Sequence, residues 1–152
     1  MQNSILLVED DPRELELTLI ALKRNDFGDD VAVVQDGEQA LDYLFRRCGF
    51  ANRDAGNPSL IILDVKTPNL TGLQVLEVIR ESEMTRTIPV VILTNSQSVS
   101  DLQKAYDLHV NSFIIKPFGL DDFVEAVSKL GIFWGELNNP PIGSIPISAH
   151  VR

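Results

Sequence analysis

The chain predicts an α/β fold of the (βα)5 type: a doubly wound, five-stranded parallel sheet with strand order 2-1-3-4-5. Three observations carry that prediction. Five short, nearly all-apolar runs recur along the chain, segments of helical period separate them, and the chemistry-bearing residues gather just after the runs.

The runs are "SILLV" (4–8), "VAVV" (31–34), "LIIL" (60–63), "PVVIL" (89–93) and "SFII" (112–115). Their apolarity is continuous rather than alternating, as expected of parallel strands covered on both faces. Between them, residues 12–25 open with Asp11 as N-cap and Pro12 at the first helical position, and carry Leu15, Leu19 and Leu22 on one stripe. Residues 37–48 place Ala40, Leu41, Leu44, Phe45 and Cys48 on one face after an Asp36/Gln39 capping-box pattern, which makes Cys48 a small core residue. Residues 72–82 follow a similar Thr71/Gln74 pair. Residues 99–109 form a more polar helix, with His109 at its exposed end. Residues 120–130 put Leu120, Phe123, Val124, Val127 and Leu130 together, and Gly131 can close that helix. Right-handed crossovers limit the topologies, and order 2-1-3-4-5 is a common solution for five such strands.

Two segments fall outside this unit. "GFANRDAGNP" (49–58) is long for a helix-to-strand connection. The stretch 132–152 begins aromatic and turns Pro-rich. It is too short for a second domain, so residues 1–131 are expected to form the domain and 132–152 an extension of it.

Composition bounds the function. The 152 residues include 13 Lys+Arg against 22 Asp+Glu, a net charge of −9, which disfavours nucleic acid or an anionic membrane as a partner. A single cysteine excludes an intrachain disulfide, the N-terminus has no signal-peptide pattern, and no run approaches the length of a membrane span. A cytoplasmic location is expected.

Ligands of open α/β sheets bind at the carboxyl ends of the strands. There the first run gives Glu9 and Asp10, the third Asp64, the fourth Thr94 and the fifth Lys116-Pro117. In the expected order the first and third strands are neighbours, so Glu9, Asp10 and Asp64 should converge. Gathered carboxylates repel, and either one takes up a proton or a cation binds. A hard ion such as Mg2+ suits oxygen ligands. With a lysine and a threonine hydroxyl beside it, such a site fits a phosphoryl group. Lys116 would then meet the anion created when Asp64 is phosphorylated. Pro117 would shape the turn that aims it, and an X-Pro bond leaves a tight cis turn open. The alternative for each residue alone is mundane: Asp64 as a turn or cap residue, Lys116 as the partner of a surface acid.

The segments "ILLVEDDP", "LIILDVKTPNLTG", "VVILTNS" and "FIIKPF" resemble the receiver domain of two-component response regulators, a flavodoxin-like fold, over residues 4 to about 130. The resemblance implies that Asp64 accepts a phosphoryl group from a kinase phosphohistidine. It implies Asp10 as a direct Mg2+ (or Mn2+) ligand, Glu9 as one through water, and the main-chain carbonyl of Lys66 as another. Thr94 corresponds to the switch hydroxyl, Lys116 to the phosphate-contacting lysine and Phe113 to the aromatic rotamer switch. Pro68 and Gly72 correspond to the loop after the acceptor. Thr94 drawn onto the phosphate would vacate space for Phe113 and alter the face formed by the fourth helix, fifth strand and fifth helix. Such a protein catalyses only its own phosphorylation and dephosphorylation. Asn95 is larger than the residue often found after the switch threonine, and Lys66 sets a cation beside the acceptor.

The 49–58 insertion and "GIFWGELNNPP" are similar to the stand-alone response regulators of cyanobacterial and bacterial phytochromes. That implies a sensor histidine kinase of the phytochrome type as partner, and a homodimer. Phe133 and Trp134 are too apolar to leave uncovered, and either pack within the chain or form an interface. Other readings fit less well. A haloacid-dehalogenase-type hydrolase wants a second aspartate at position 66, where Lys66 stands. A flavodoxin needs a hydroxyl- and Gly-rich loop where "EDDPREL" stands. A receiver-like module that binds partners without phosphorylation, or a phosphorelay intermediate, remains the alternative.

Overall fold

In the computed structural model, which describes residues 4–145, a parallel five-stranded sheet runs in the order β2-β1-β3-β4-β5. The strands are β1 (Ile5–Val8), β2 (Val31–Val34), β3 (Leu60–Leu63), β4 (Val90–Thr94) and β5 (Ser112–Ile115). The helices are α1 (Pro12–Lys23), α2 (Gly37–Leu44), α3 (Gly72–Glu81), α4 (Val99–Asp107) and α5 (Leu120–Ile132). The expected fold class and strand order are those observed.

The period of two along each strand sorts the core into two layers. Leu6, Val8, Ile61, Leu63, Val90 and Ile92 face α2, α3 and α4; Ile5, Leu7, Leu60, Ile62, Val91 and Leu93 face α1 and α5. Only β1, β3 and β4 are buried along their whole length. The edge strands β2 and β5 expose Val33 and Ile115, so continuous apolarity did not mark them as edges.

Local signals set the helix starts. Asp11 caps α1 by accepting from Arg13 N–H (2.8 Å) and Glu14 N–H (3.2 Å). Thr71 and Gln74 complete the box on α3. At α2, Asp36 accepts from Gln39 N–H as expected, but the Gln39 amide oxygen returns to Gln35 N–H, one residue earlier than a capping box requires. The helix ends follow their sequence signals less closely. α2 stops at Leu44, and Cys48 sits exposed in a following 3-10 turn with φ of 53°, not in the core. The turn is fixed from outside: the Arg53 guanidinium lies 4.4 Å over the Tyr43 ring and donates to the carbonyls of Tyr43, Leu44, Asp54 and Gly56. Gly131 does not close α5. The helix passes through it into a wider π turn over Phe133–Leu137, and the glycine lets the Phe27 ring approach to where a Cβ would meet it at 3.0 Å. Among the described residues no peptide bond is cis, so Lys116–Pro117 is trans.

The two segments left over from the minimal unit account for each other. Asn57 N–H donates to Gly143 O (3.1 Å), Ile145 N–H to Asn57 O (2.7 Å) and Ser59 Oγ to Ile145 O (2.5 Å). The extension therefore adds a short parallel bridge to the long loop ahead of β3 and buries Ile145 beside Gly56. Trp134 packs on the α1/α5 core layer and meets Phe133 edge-on at 5.0 Å, while Phe133 stays half exposed. His150 lies outside the described residues. Truncating Ile145 to Ala should lower stability by about 2 kcal/mol, since a buried branched side chain leaves a cavity. Ile142→Ala, at a fully exposed side chain, should stay within about 0.5 kcal/mol, both changes being read from urea titrations of the two variants beside the parent.

Candidate functional site

The sheet register builds the site. Val8 pairs with Leu63 and Leu63 with Ile92, so the residues that follow β1 and β3 leave the sheet side by side. Thr94 pairs with Ile115, and Lys116 N–H then donates to Thr94 O at 2.7 Å. Glu9, Asp64, Thr94 and Lys116 are thereby delivered to one hollow at the carboxyl end of the sheet.

Asp64 is the centre of that hollow. Its Oδ1 accepts from the Thr94 hydroxyl (2.7 Å) and Lys66 N–H (3.1 Å), and its Oδ2 from Lys116 Nζ (2.9 Å). Thr94 is fully buried, and its hydroxyl also accepts from Ser96 N–H. A buried hydroxyl without a partner would be costly, so Thr94 already points at the carboxylate and need not be drawn in from outside. Gly72 makes the loop after Asp64 possible: a Cβ there would lie 1.9 Å from Asp64 O, and Gly72 N–H donates to Val65 O. Exposed Pro68 shapes the same loop through its carbonyl, which accepts from Leu70 N–H and Gly37 N–H.

The Lys116 side chain is 2 % exposed and its ammonium meets three carboxylates: Glu14 Oε2 at 2.6 Å, Asp64 Oδ2 at 2.9 Å and Glu9 Oε1 at 3.2 Å. Burial disfavours its charge, but hydrogen bonds to Asp64 and Glu14 and the charges of Asp64 and Glu9 outweigh that and hold its pKa above the ordinary lysine value. For Glu9 the balance runs the other way. Burial raises its carboxyl above the usual range despite Lys116 and the Asp11 N–H.

Glu9, Glu14 and Asp64 each offer an oxygen within 4.8 Å of the others. Three carboxylates around one ammonium leave excess negative charge, and the donors are all hard oxygens, so the set fits a divalent cation. Asp10 is exposed and is not one of the three. The Lys66 side chain is exposed too, with its backbone N–H turned to Asp64. Phe113 is half-buried on β5 against the α2–α4 core layer, and Pro117 lines a groove of about 330 Å³ with Lys116, Glu14 and the wholly exposed Phe118. Glu14 was missed in the sequence. Its signal was its place in the first turn of α1, which starts at the carboxyl end of β1 and lets a long side chain reach back over the strand.

Residues 5–128 match the family model of the response regulator receiver domain. The chain is a receiver-domain protein. The bacteriophytochrome response regulator RtBRR is 53 % identical, with a TM-score of 0.73 over 95 % of this chain and 87 % of that one. The phosphorylated cyanobacterial phytochrome response regulator RcpA is 33 % identical, with a TM-score of 0.85 over 93 % of this chain and 99 % of that one. Response regulator Rcp1 of Synechocystis sp., in its Mn2+-bound form, is 33 % identical, with a TM-score of 0.84 over 90 % of this chain and 97 % of that one. This receiver thus shares its fold with phytochrome response regulators. Among its described residues, no helix is long and apolar enough to cross a membrane.

Glu9 supplies a pH signature. A carboxyl whose folded pKa lies above its unfolded value contributes stability below the unfolded pKa and loses it as pH rises through the folded one. In metal-free buffer, Glu9→Gln should therefore be more stable than the parent near neutrality. The advantage should vanish toward about pH 4, where both states of the parent are protonated, as read from urea midpoints at each pH.

Proposed function

We propose that this receiver accepts a phosphoryl group on Asp64 from the phosphohistidine of a sensor histidine kinase. The reading rests on one observation: Asp64 is ringed by a hydroxyl, a backbone N–H and an ammonium, all aimed at its two oxygens. A carboxylate oxygen of Asp64 attacks phosphorus, the P–N bond to the imidazole breaks, and the bonding pair leaves with the ring. Thr94 and Lys116 already donate to the Asp64 oxygens, at 2.7 and 2.9 Å, so the groups that would neutralise the incoming charge stand at the carboxylate before it arrives. Water attack on the acyl phosphate returns Asp64 and inorganic phosphate. Beyond these two reactions on its own aspartate the chain is not an enzyme.

Glu9 and Asp64, together with Asp10 and the Lys66 carbonyl that follow their strands, would hold Mg2+, which when bound cancels repulsion between the carboxylates and the entering phosphoryl group. The crowding of Glu9, Glu14 and Asp64 supports this, as does the Mn2+ carried by Rcp1. Once Lys116 and Thr94 shift onto the phosphoryl oxygens, the strand between them carries the change to Phe113 and to the face of α4, β5 and α5. There Val99, Leu102, Tyr106 and Ile115 are exposed. The likeness to RcpA and RtBRR supports a phytochrome-type kinase as donor, and half-exposed Phe133 supports a homodimer that covers it.

Intact-mass analysis after incubation with acetyl phosphate and Mg2+ tests the reading. A single phosphate-sized increase is expected for the parent and none for Asp64→Asn. An adduct that persists in the variant, or no adduct on the parent, overturns it.

A further inference from the structure

We propose that Glu14 is a latch on the switch: its carboxylate restrains Lys116 and Asn95 together in the unmodified protein, and phosphorylation of Asp64 must release it. This inference rests on Asp64 being the phosphoacceptor.

An ammonium has three N–H donors, and Lys116 spends all three, on Glu9, Glu14 and Asp64. A phosphoryl group on Asp64 carries the negative charge outward from the present carboxylate oxygens, so Lys116 must move to follow it, and the contacts that hold the ammonium in place resist that movement. Glu9 is buried, fixed at the strand end and tied to Asp11 N–H (3.3 Å). Asp64 is the group being modified. Glu14 remains. It makes the shortest of the three contacts, yet its side chain is 26 % exposed and opens onto the groove of about 330 Å³ between α1 and the turn after β5. A long, flexible carboxylate at the rim can swing out where the other two cannot.

The second oxygen of Glu14 widens its reach. Oε1 accepts from Asn95 Nδ2 at 3.3 Å, the residue that follows Thr94. One carboxylate on α1 thus joins the loop after β4 to the lysine after β5, and those are the two elements that must respond to the phosphoryl group. Its charge acts in opposite senses on the two ligands of the site: it attracts the divalent cation and repels the phosphoryl anion.

Calorimetry with Mg2+ alone, and then with beryllofluoride at saturating Mg2+ as a phosphoryl mimic, separates the possibilities. Glu14→Gln keeps the length and shape but removes the charge. It should bind Mg2+ more weakly than the parent and beryllofluoride about fivefold more tightly. Glu14→Asp is one methylene shorter. It should keep the parent's Mg2+ affinity while tightening beryllofluoride, because the charge stays but withdraws from Lys116. A general loss of structure would weaken both ligands. If both variants bind beryllofluoride no more tightly than the parent, the latch is refuted. A parent that binds no beryllofluoride at all refutes instead the assignment of Asp64 as acceptor.

Discussion

A buried ammonium among three carboxylates governs this molecule. Lys116 sits at the end of β5 with almost no access to water, a position no lysine would hold alone. It is tolerated because Glu9, Glu14 and Asp64 converge on it, and they are tolerated together because it is there. The result is a site under opposing demands. Burial pushes Glu9 toward its neutral form while the lysine favours its charge, and neither side fully satisfies the other. Such a balance is easily moved by a new charge, which is what a phosphoryl group or a divalent ion brings.

The sheet supplies the rigidity that this balance needs. β1, β3 and β4 are buried over their whole length, and their register carries Glu9 and Asp64 out side by side, with Thr94 beside Asp64. The residues that touch Asp64 leave from strand ends or from the loop that Gly72 allows to fold closely over it. Charge at Asp64 is therefore felt by β4 and β5 without intermediates. The opposite end of the sheet is closed differently. There the extension and the loop before β3 share hydrogen bonds, and the Arg53 guanidinium holds that loop to the end of α2. The extension thus lies at the end of the sheet away from Asp64.

Much of this was legible in the chain itself. Strand positions, strand order, the caps at Asp11, Thr71 and Asp36, and the convergence of Glu9, Asp64, Thr94 and Lys116 all followed from apolar runs and from what stood after them. These are local signals, or local signals arranged by a topology with few alternatives. The misreadings share a cause. Cys48 and Gly131 were read from helical period and terminator chemistry, yet side chains outside each helix, Arg53 and the sequence-distant Phe27, decided what became of them. The exposure of Val33 and Ile115 had no sequence mark, because an edge strand can be as apolar as a central one.

By itself the sequence determined the parallel α/β sheet, which residues leave its carboxyl end, and that those residues are suited to a cation and a phosphoryl group. It could do so because strand period, capping and residue chemistry are written within a few positions of where they act. Only the tertiary structure decided that Glu14 rather than Asp10 stands against the lysine, that Thr94 already faces Asp64, and that residues 57–59 and 143–145 are partners. Those outcomes depend on where a side chain from one element ends relative to another, a distance that no spacing along the chain encodes.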